Sequence, residues 1–194
     1  MSELLKGATL TAAIADRLYD RGGRPVPGAG VFRMELLPAY AVASDGGDFG
    51  RYLEGEAEPD WERKRPFMAR LEQRRDDGLY QRRVRILSAM LSDYERFECD
   101  WAYRLNVPCG EDIRVLHRGE HDVPSLLGFD YWLVNDSTVL RMHYANDGKF
   151  QGAQEAPELL RVCRREARHT FREAEPFLQW WERHPEIAAR RKVT

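Results

Sequence analysis

Residues 129–154 read FDYWLVNDSTVLRMHYANDGKFQGAQ. Three runs rich in apolar, aromatic and β-branched residues are separated by NDS and ANDG, two short breaks whose residues favour tight chain reversal. The stretch therefore predicts a three-strand meander. Other segments carry the same alternation. In VFRMELLPAYAV (31–42), Phe32, Met34 and Leu36 face one way and Arg33 and Glu35 the other. YQRRVRILSAML (80–91) predicts a second strand with Arg83 and Arg85 on one face, and DIRVLHR, from Asp112, a third.

Helical periodicity occupies the remainder. A short helix is expected over 3–20, with Leu4, Ala8, Thr11, Ala15, Leu18 and Tyr19 on one side. RPFMARLEQRRDDG follows, with Pro66 suited to a first turn and Gly78 to a C-cap. SDYE (92–95) has the capping-box pattern and starts a helix that runs to about Leu105. A long final helix over roughly 157–184 should kink at Pro176. Strands mixed with helices and joined by hairpins predict an α+β fold. The expected sheet is mostly antiparallel, with about five or six strands packed by helices, and the C-terminal helix is long. RGGRPVPGAG (21–30) reads as a linker, so the organisation expected is an N-terminal helix and Gly/Pro linker over 1–30 and a single domain over 31–194.

Composition bounds the function. A chain of 194 residues, 43% hydrophobic, can bury a core without disulfides or a structural metal. Only four of its 30 basic residues are lysine, leaving 26 arginines. Arginine matches carboxylate, phosphate and sulfate with a planar fork, although heavy arginine use also follows from a GC-rich genome. A formal net charge of −2 argues against a dedicated nucleic-acid binder. Three cysteines without a C-x-x-C pattern fit a reducing cytoplasm. The first twenty residues lack the apolar run of a signal peptide, and no stretch reaches the length of a membrane span. A cytoplasmic protein is expected.

Glu98 is the most informative residue. At about 100° per residue, Tyr94, Phe97, Trp101 and Leu105 form one apolar face of the 92–105 helix. Glu98 falls inside that face, while Arg96, Asp100 and Tyr103 point elsewhere. A carboxylate carried into a core either joins an internal Glu–Arg bridge or serves as a general base or ligand contact. Candidate partners are the polar i, i+2 pairs of the strands: Arg33 with Glu35, Arg83 with Arg85, Asp112 with Arg114, and Arg141 with His143. These could form a solvated face of weak surface pairs, or a concave site floored by arginines and walled by carboxylates. In VPCGEDIRVL, Gly110 makes the turn, Asp112 and Arg114 take the polar face, and Ile113 and Val115 fill the core. Glu111 lies on the apolar parity, so it sits at the sheet edge or pairs inside. Glu166 falls within the apolar face of the final helix, where local pairing is its simplest role. His117 and His121 are four apart, but Gly119 lies between them in an expected loop, and no metal site is assigned. H-E-x-x-H, Gly-rich phosphate loops and G-x-S-x-G are absent, so no cofactor is expected.

FRMELLPAYAV, EPDWERKRPF, LSDYERFECDWAYRLN, GEDIRVL, DYWLVNDSTVLRMHYANDGKFQGA and EPFLQWW together resemble a family of small actinobacterial proteins of unknown function. The resemblance covers roughly residues 31–184. Its motif positions include Arg33, Glu35, Tyr40, Arg83, Arg85, Tyr94, Glu98, Trp101, Glu111, Asp112, Arg114, Asp130, Trp132, Arg141, Tyr144 and Gly148. Pro108, Cys109 and the Ser88-Ala89-Met90 run depart from the family pattern, as does the N-terminal leader. Members of the family are often encoded near helix-turn-helix regulators, and some lie in specialised-metabolite gene clusters.

Two functions follow as expectations. The first is a cofactor-independent enzyme or substrate-binding protein of specialised metabolism. Arg33, Glu35, Arg83, Arg85, Arg114, Arg141 and Trp101 would hold a small polar or anionic metabolite. Glu98, Glu111 or Asp112 would act on it, for example by deprotonating an amine that displaces an anionic leaving group. The second is a non-catalytic regulatory or interaction module, partnering a helix-turn-helix protein through the N-terminal helix and the FLQWW helix. A closed pocket of a few hundred Å³ would favour the first, a flat open face the second.

Overall fold

The computed structural model describes residues 4–42, 45 and 47–188; the RRK cluster at 190–192 lies outside the described residues. Seven strands form one sheet: β1 (Gly30–Glu35), β2 (Tyr80–Leu87), β3 (Asp112–His117), β4 (Tyr131–Val134), β5 (Thr138–Tyr144), β6 (Phe150–Glu155) and β7 (Glu175–Pro176). Their order is β6-β5-β4-β1-β2-β3-β7. The β4–β5–β6 meander stands as expected, and its first turn places Asn135 and Asp136 at positive φ, the geometry that hairpin reversal demands.

A mostly antiparallel sheet of five or six strands is not what the chain builds. β1, β2 and β3 are parallel, with Gly30 opposite Tyr80 and Arg82 opposite Asp112. Parallel neighbours need crossovers of a dozen or more residues. Segments 36–79 and 88–111 supply them. The first holds α2 (Asp48–Leu53) and α3 (Trp61–Asp76); the second holds α4 (Asp93–Phe97), a π-helical segment (Glu98–Tyr103) and α5 (Arg104–Asn106). Expectation followed the local hairpins of the meander, whereas the centre of the sheet is made by long connections. The fold is α+β with a mixed sheet.

Helix boundaries moved for identifiable reasons. α3 begins before Pro66 because Asp60 caps it, its side chain accepting from the N–H groups of Glu62 and Arg63. The capping box at α4 forms as read: Ser92 Oγ accepts from Glu95 N at 3.0 Å and Glu95 Oε2 from Ser92 N at 2.8 Å. The final helix is not continuous. A 3₁₀ turn (Pro157–Leu159) leads into α6 (Leu160–Glu173), and the chain then extends to pair Glu175 and Pro176 with Val115 and Arg114. Pro176 thus breaks the helix outright, as its missing N–H and its restriction of the preceding residue require. α7 (Phe177–Glu182) and α8 (Pro185–Ala188) follow. No helix among the described residues is long and apolar enough to cross a membrane.

Helices cover both faces of the sheet. On one face, Cys163 and Ala167 of α6 pack over Phe32, Met34, Val84, Ile86 and Tyr131. On the other, α1 (Gly7–Leu18) lays Leu10, Ile14 and Leu18 over Val31, Val134 and Leu140. Leu18 alone belongs to both this buried stripe and the expected one, which put Ala8, Thr11 and Ala15 inward. Farther along the same face, Phe177 and Trp180 of α7 pack with Tyr103, Ile113 and Val115. Each fully buried large side chain contributes about 1.5–3 kcal/mol. Between these two apolar patches lies a band of charge.

Candidate functional site: a polar seam inside the sheet face

Arg33, Glu35, Arg83 and Arg85 project from the centre of the α1/α7 face, and the 93–106 helix lies over them. The register decides which polar pairs join. Arg83 lies opposite Ile113 and Arg85 opposite Val115, so Glu111, Ile113 and Val115 share the arginine face. Asp112 and Arg114 lie on the other face: Asp112 is exposed, and Arg114 stacks 4.0 Å from the Phe171 ring on α6. Arg141 is opposite Tyr131, exposed, and 4.5 Å from the Phe129 ring. The expected grouping of Asp112, Arg114 and Arg141 with the other arginines is therefore corrected. Alternation in three strands does not reveal which alternating sets face the same way.

One half of the seam is complete. Arg83 Nε and Nη2 donate to Glu111 Oε1 at 3.0 and 2.7 Å, and Arg83 Nη1 donates to Glu35 Oε2 at 2.9 Å. Asn106 Nδ2 donates to Glu111 Oε2 at 3.0 Å. Arg33 lies 3.8 Å from Glu111 and 4.5 Å from the centre of the Trp132 ring. Burial pushes the Glu111 carboxyl up, but Arg83 and Arg33 outweigh it and hold the group below its ordinary value. Gly110 makes the turn into β3 at φ +105°, and a side chain there would press on Arg75 at 2.7 Å. The carboxylate in GEDIR is thus an internal ion-pair partner.

The other half is not complete. Arg85 is fully buried. Its Nη2 lies 3.0 Å from Glu98 Oε2, and its Cζ lies 5.2 Å from the Tyr40 ring. None of its three nitrogens makes a directed hydrogen bond among the described residues, nor does Glu98 Oε2. Burial drives the Glu98 carboxyl up to about 7, against the pull of Arg85 and with a push from Glu35. Asp130 is raised to about 6, chiefly by burial; it accepts from the Tyr40 hydroxyl at 2.6 Å and the Leu36 N–H at 2.9 Å. Lys64 is lowered to about 8 by burial, opposed by Glu111.

Glu98 reaches this place because the helix changes pitch. The apolar face of Tyr94, Phe97 and Trp101 packs with Tyr40 and Tyr52 as expected. From Glu98 to Tyr103 the helix is π, so residues five apart come close to one face; in an α-helix they would stand about 140° apart. Tyr103, expected to point away, is instead fully buried, with its hydroxyl 3.5 Å from Glu35 Oε2. The residues that sequence reasoning missed are Tyr103 and Asn106. Helical periodicity hides the first, and nothing in the local pattern marks the second. Trp101 is buried in the aromatic cluster. Glu166 lies over the opposite face, accepting from the Leu127 N–H at 2.6 Å.

Arg33 and Glu35, with side chains 17% and 12% exposed, connect the seam to the surface. The prominent cavities lie elsewhere. One of about 740 Å³ runs along α6 beside Arg161, Arg164, Arg165, Arg168 and Arg172; another, of about 340 Å³, lies between α6 and residues 125–127. No curated protein and no solved structure matches the chain significantly. A family model does match, over residues 28–182, a span that contains every residue of the seam. The chain belongs to that family, described as a domain of unknown function, DUF6879.

Proposed function

We propose that this chain is a cofactor-independent enzyme or substrate-binding protein that takes a small anionic metabolite at Arg85 and Glu98. The observation that carries the reading is the contrast inside the seam. Arg83 and Glu111 satisfy one another, whereas Arg85 keeps its donors uncommitted beside a carboxyl whose proton is exchangeable near neutrality. Buried donors without partners are costly, and they are tolerated where a ligand uses them. A carboxyl near 7 is poised for general acid–base work. The reaction class that fits is an amine displacement. Glu98 accepts the amine proton, the nitrogen lone pair forms a C–N bond, and the C–O bond electrons leave with a sulfate or phosphate whose charge meets Arg85. Arg83, Arg33, Glu111 and Asn106 act as scaffold, and a cytoplasmic setting and a role in specialised metabolism belong to the same reading.

Ligand-dependent thermal unfolding tests it, with sulfated, phosphorylated and amine-bearing metabolites against wild type and Arg85→Met. A compound at a hundred times its Kd should add about 2.7 kcal/mol to wild type and nothing to the variant. No shift in wild type, or a shift that survives in Arg85→Met, rejects the proposal.

The interaction-module reading is favoured by a different observation. The N-terminal and FLQWW helices are committed to the core, but Arg161 and Arg165 on α6 make no ion pair or hydrogen bond among the described residues and flank the 740 Å³ groove. An acidic protein partner would suit that face. Salt-sensitive capture of such a partner, lost in Arg161→Glu/Arg165→Glu, would support it.

A further inference from the structure

Three of the five histidines meet where β3 ends. The N–H groups of Glu120 and His121 both donate to the His117 carbonyl, at 3.0 and 2.8 Å, and this turn brings Glu120 between two imidazoles. His117 Nδ1 lies 3.3 Å from Glu120 Oε1, and His184 Nε2 contacts the same oxygen. The far nitrogen of each ring faces a backbone carbonyl: His117 Nε2 lies 3.2 Å from Ala89 O, and His184 Nδ1 2.6 Å from Trp180 O. A carbonyl only accepts, so those nitrogens carry the ring protons. The neutral rings then turn lone pairs toward one carboxylate oxygen, which is repulsive unless a cation lies between. An imidazole N–H held by a backbone carbonyl is also the arrangement that orients metal-ligating histidines. His117 is more than nine-tenths buried, and its Nδ1 makes no hydrogen bond.

Glu175 of β7 closes the group. Ligand atoms of Glu120, His121 and Glu175 lie within 4.8 Å of one another. Positive charge is already drawn there: Arg183 Nη2 lies 2.6 Å from Glu175 Oε2 and 3.3 Å from Glu120 Oε2. The Arg183 side chain is 54% exposed and can turn out to water as an ion enters. His121 Nδ1 accepts from the His117 N–H at 2.9 Å, which leaves the proton on Nε2, 3.3 Å from Glu175. His121 therefore orients Glu175.

We propose that His117, His184, Glu120 and Glu175 bind one divalent transition-metal ion of the zinc class. Two imidazoles and two carboxylates suit zinc at about 2.0–2.1 Å better than oxygen-seeking calcium or magnesium. Glu120, on a partly exposed turn, adjusts its rotamer to bring the ligands onto the ion. The ion joins the end of β3, β7 and the segment after α7, three parts of the chain held otherwise by a two-residue strand and side-chain packing. It stands apart from Arg85 and Glu98 and serves as a clip.

The test is titration of the chelator-treated full-length chain with Co²⁺ and Zn²⁺. Expected are one Co²⁺ per chain, visible ligand-field bands and a rise in Tm with Zn²⁺. Glu120→Gln and His184→Gln should each weaken affinity at least tenfold, while His169→Asn, on the exposed side of α6, should leave it unchanged. Absence of bands and of any Tm rise in wild type overturns the proposal, as does equal affinity in Glu120→Gln. If Glu120→Gln does not fold, Glu175→Gln takes its place, and the wild-type titration is decisive without either.

Discussion

The Arg83–Glu111 and Arg85–Glu98 pairs are neighbours on one strand, built from the same residue types, yet they differ in how far their hydrogen-bonding capacity is met. Arg83 uses all three nitrogens on two carboxylates, and Glu111 takes a further donor from Asn106. Arg85 faces a single carboxylate without a directed bond. The direction of each acid's shift records the difference: Glu111 is held down and Glu98 is driven up. Burial is common to both, so what separates them is the number of donors each acid receives. A buried ion pair is therefore not one kind of object, and completeness distinguishes a brace from a reactive group.

The largest effect should come from Glu111→Gln. It leaves Arg83 and Arg33 buried without their main counter-charge and should cost about 3–5 kcal/mol in denaturant unfolding at pH 7. A loss below about 1 kcal/mol would mean that the complete half braces nothing.

Next is Glu98→Gln, read across pH. Because the native group titrates near 7 against an ordinary 4.5, native Glu98 holds a proton that the unfolded chain releases. Its stabilising contribution is present below pH 4.5 and is lost as pH rises through about 7. Glu111 has the opposite sign: its contribution is present above pH 4.5 and is lost as pH falls through its lowered native value. Glu98→Gln should lie close to wild type near pH 5 and gain on it by on the order of 2–3 kcal/mol by pH 8. Parallel stability curves for the two proteins would erase the contrast.

The smallest effect is that of Tyr103→Phe. The Tyr103 hydroxyl helps hold the Glu98 charge, so its loss should raise the carboxyl titration further, visible by NMR, with about 0.5–1.5 kcal/mol of stability lost. An unmoved Glu98 titration would remove Tyr103 from that half.

Much of this seam was legible in the sequence. Glu98 and Glu111 stand out because each carries charge at a position whose neighbours are apolar, and the structure buries both. Arg33, Glu35, Arg83 and Arg85 stand out by i, i+2 spacing. What could not be read is relative orientation. Asp112, Arg114 and Arg141 have the same spacing and lie on the other side, because the register between strands distant in sequence assigns faces. The parallel centre escaped for a related reason: the meander is written in local turns, whereas β1, β2 and β3 come together only through crossovers.

The π segment has a consequence in chain length. It differs from an α-helix by one residue per turn, the difference between i→i+5 and i→i+4 bonding. Deleting one residue between Glu98 and Tyr103 would restore α pitch and swing everything after it by about 100°. Asn106 would leave Glu111, and Tyr103 would leave the side of Glu35 and Glu98. The two halves of the seam thus depend on the same single-residue excess, and any relative of this chain that lacks it would have to lose or rebuild both together.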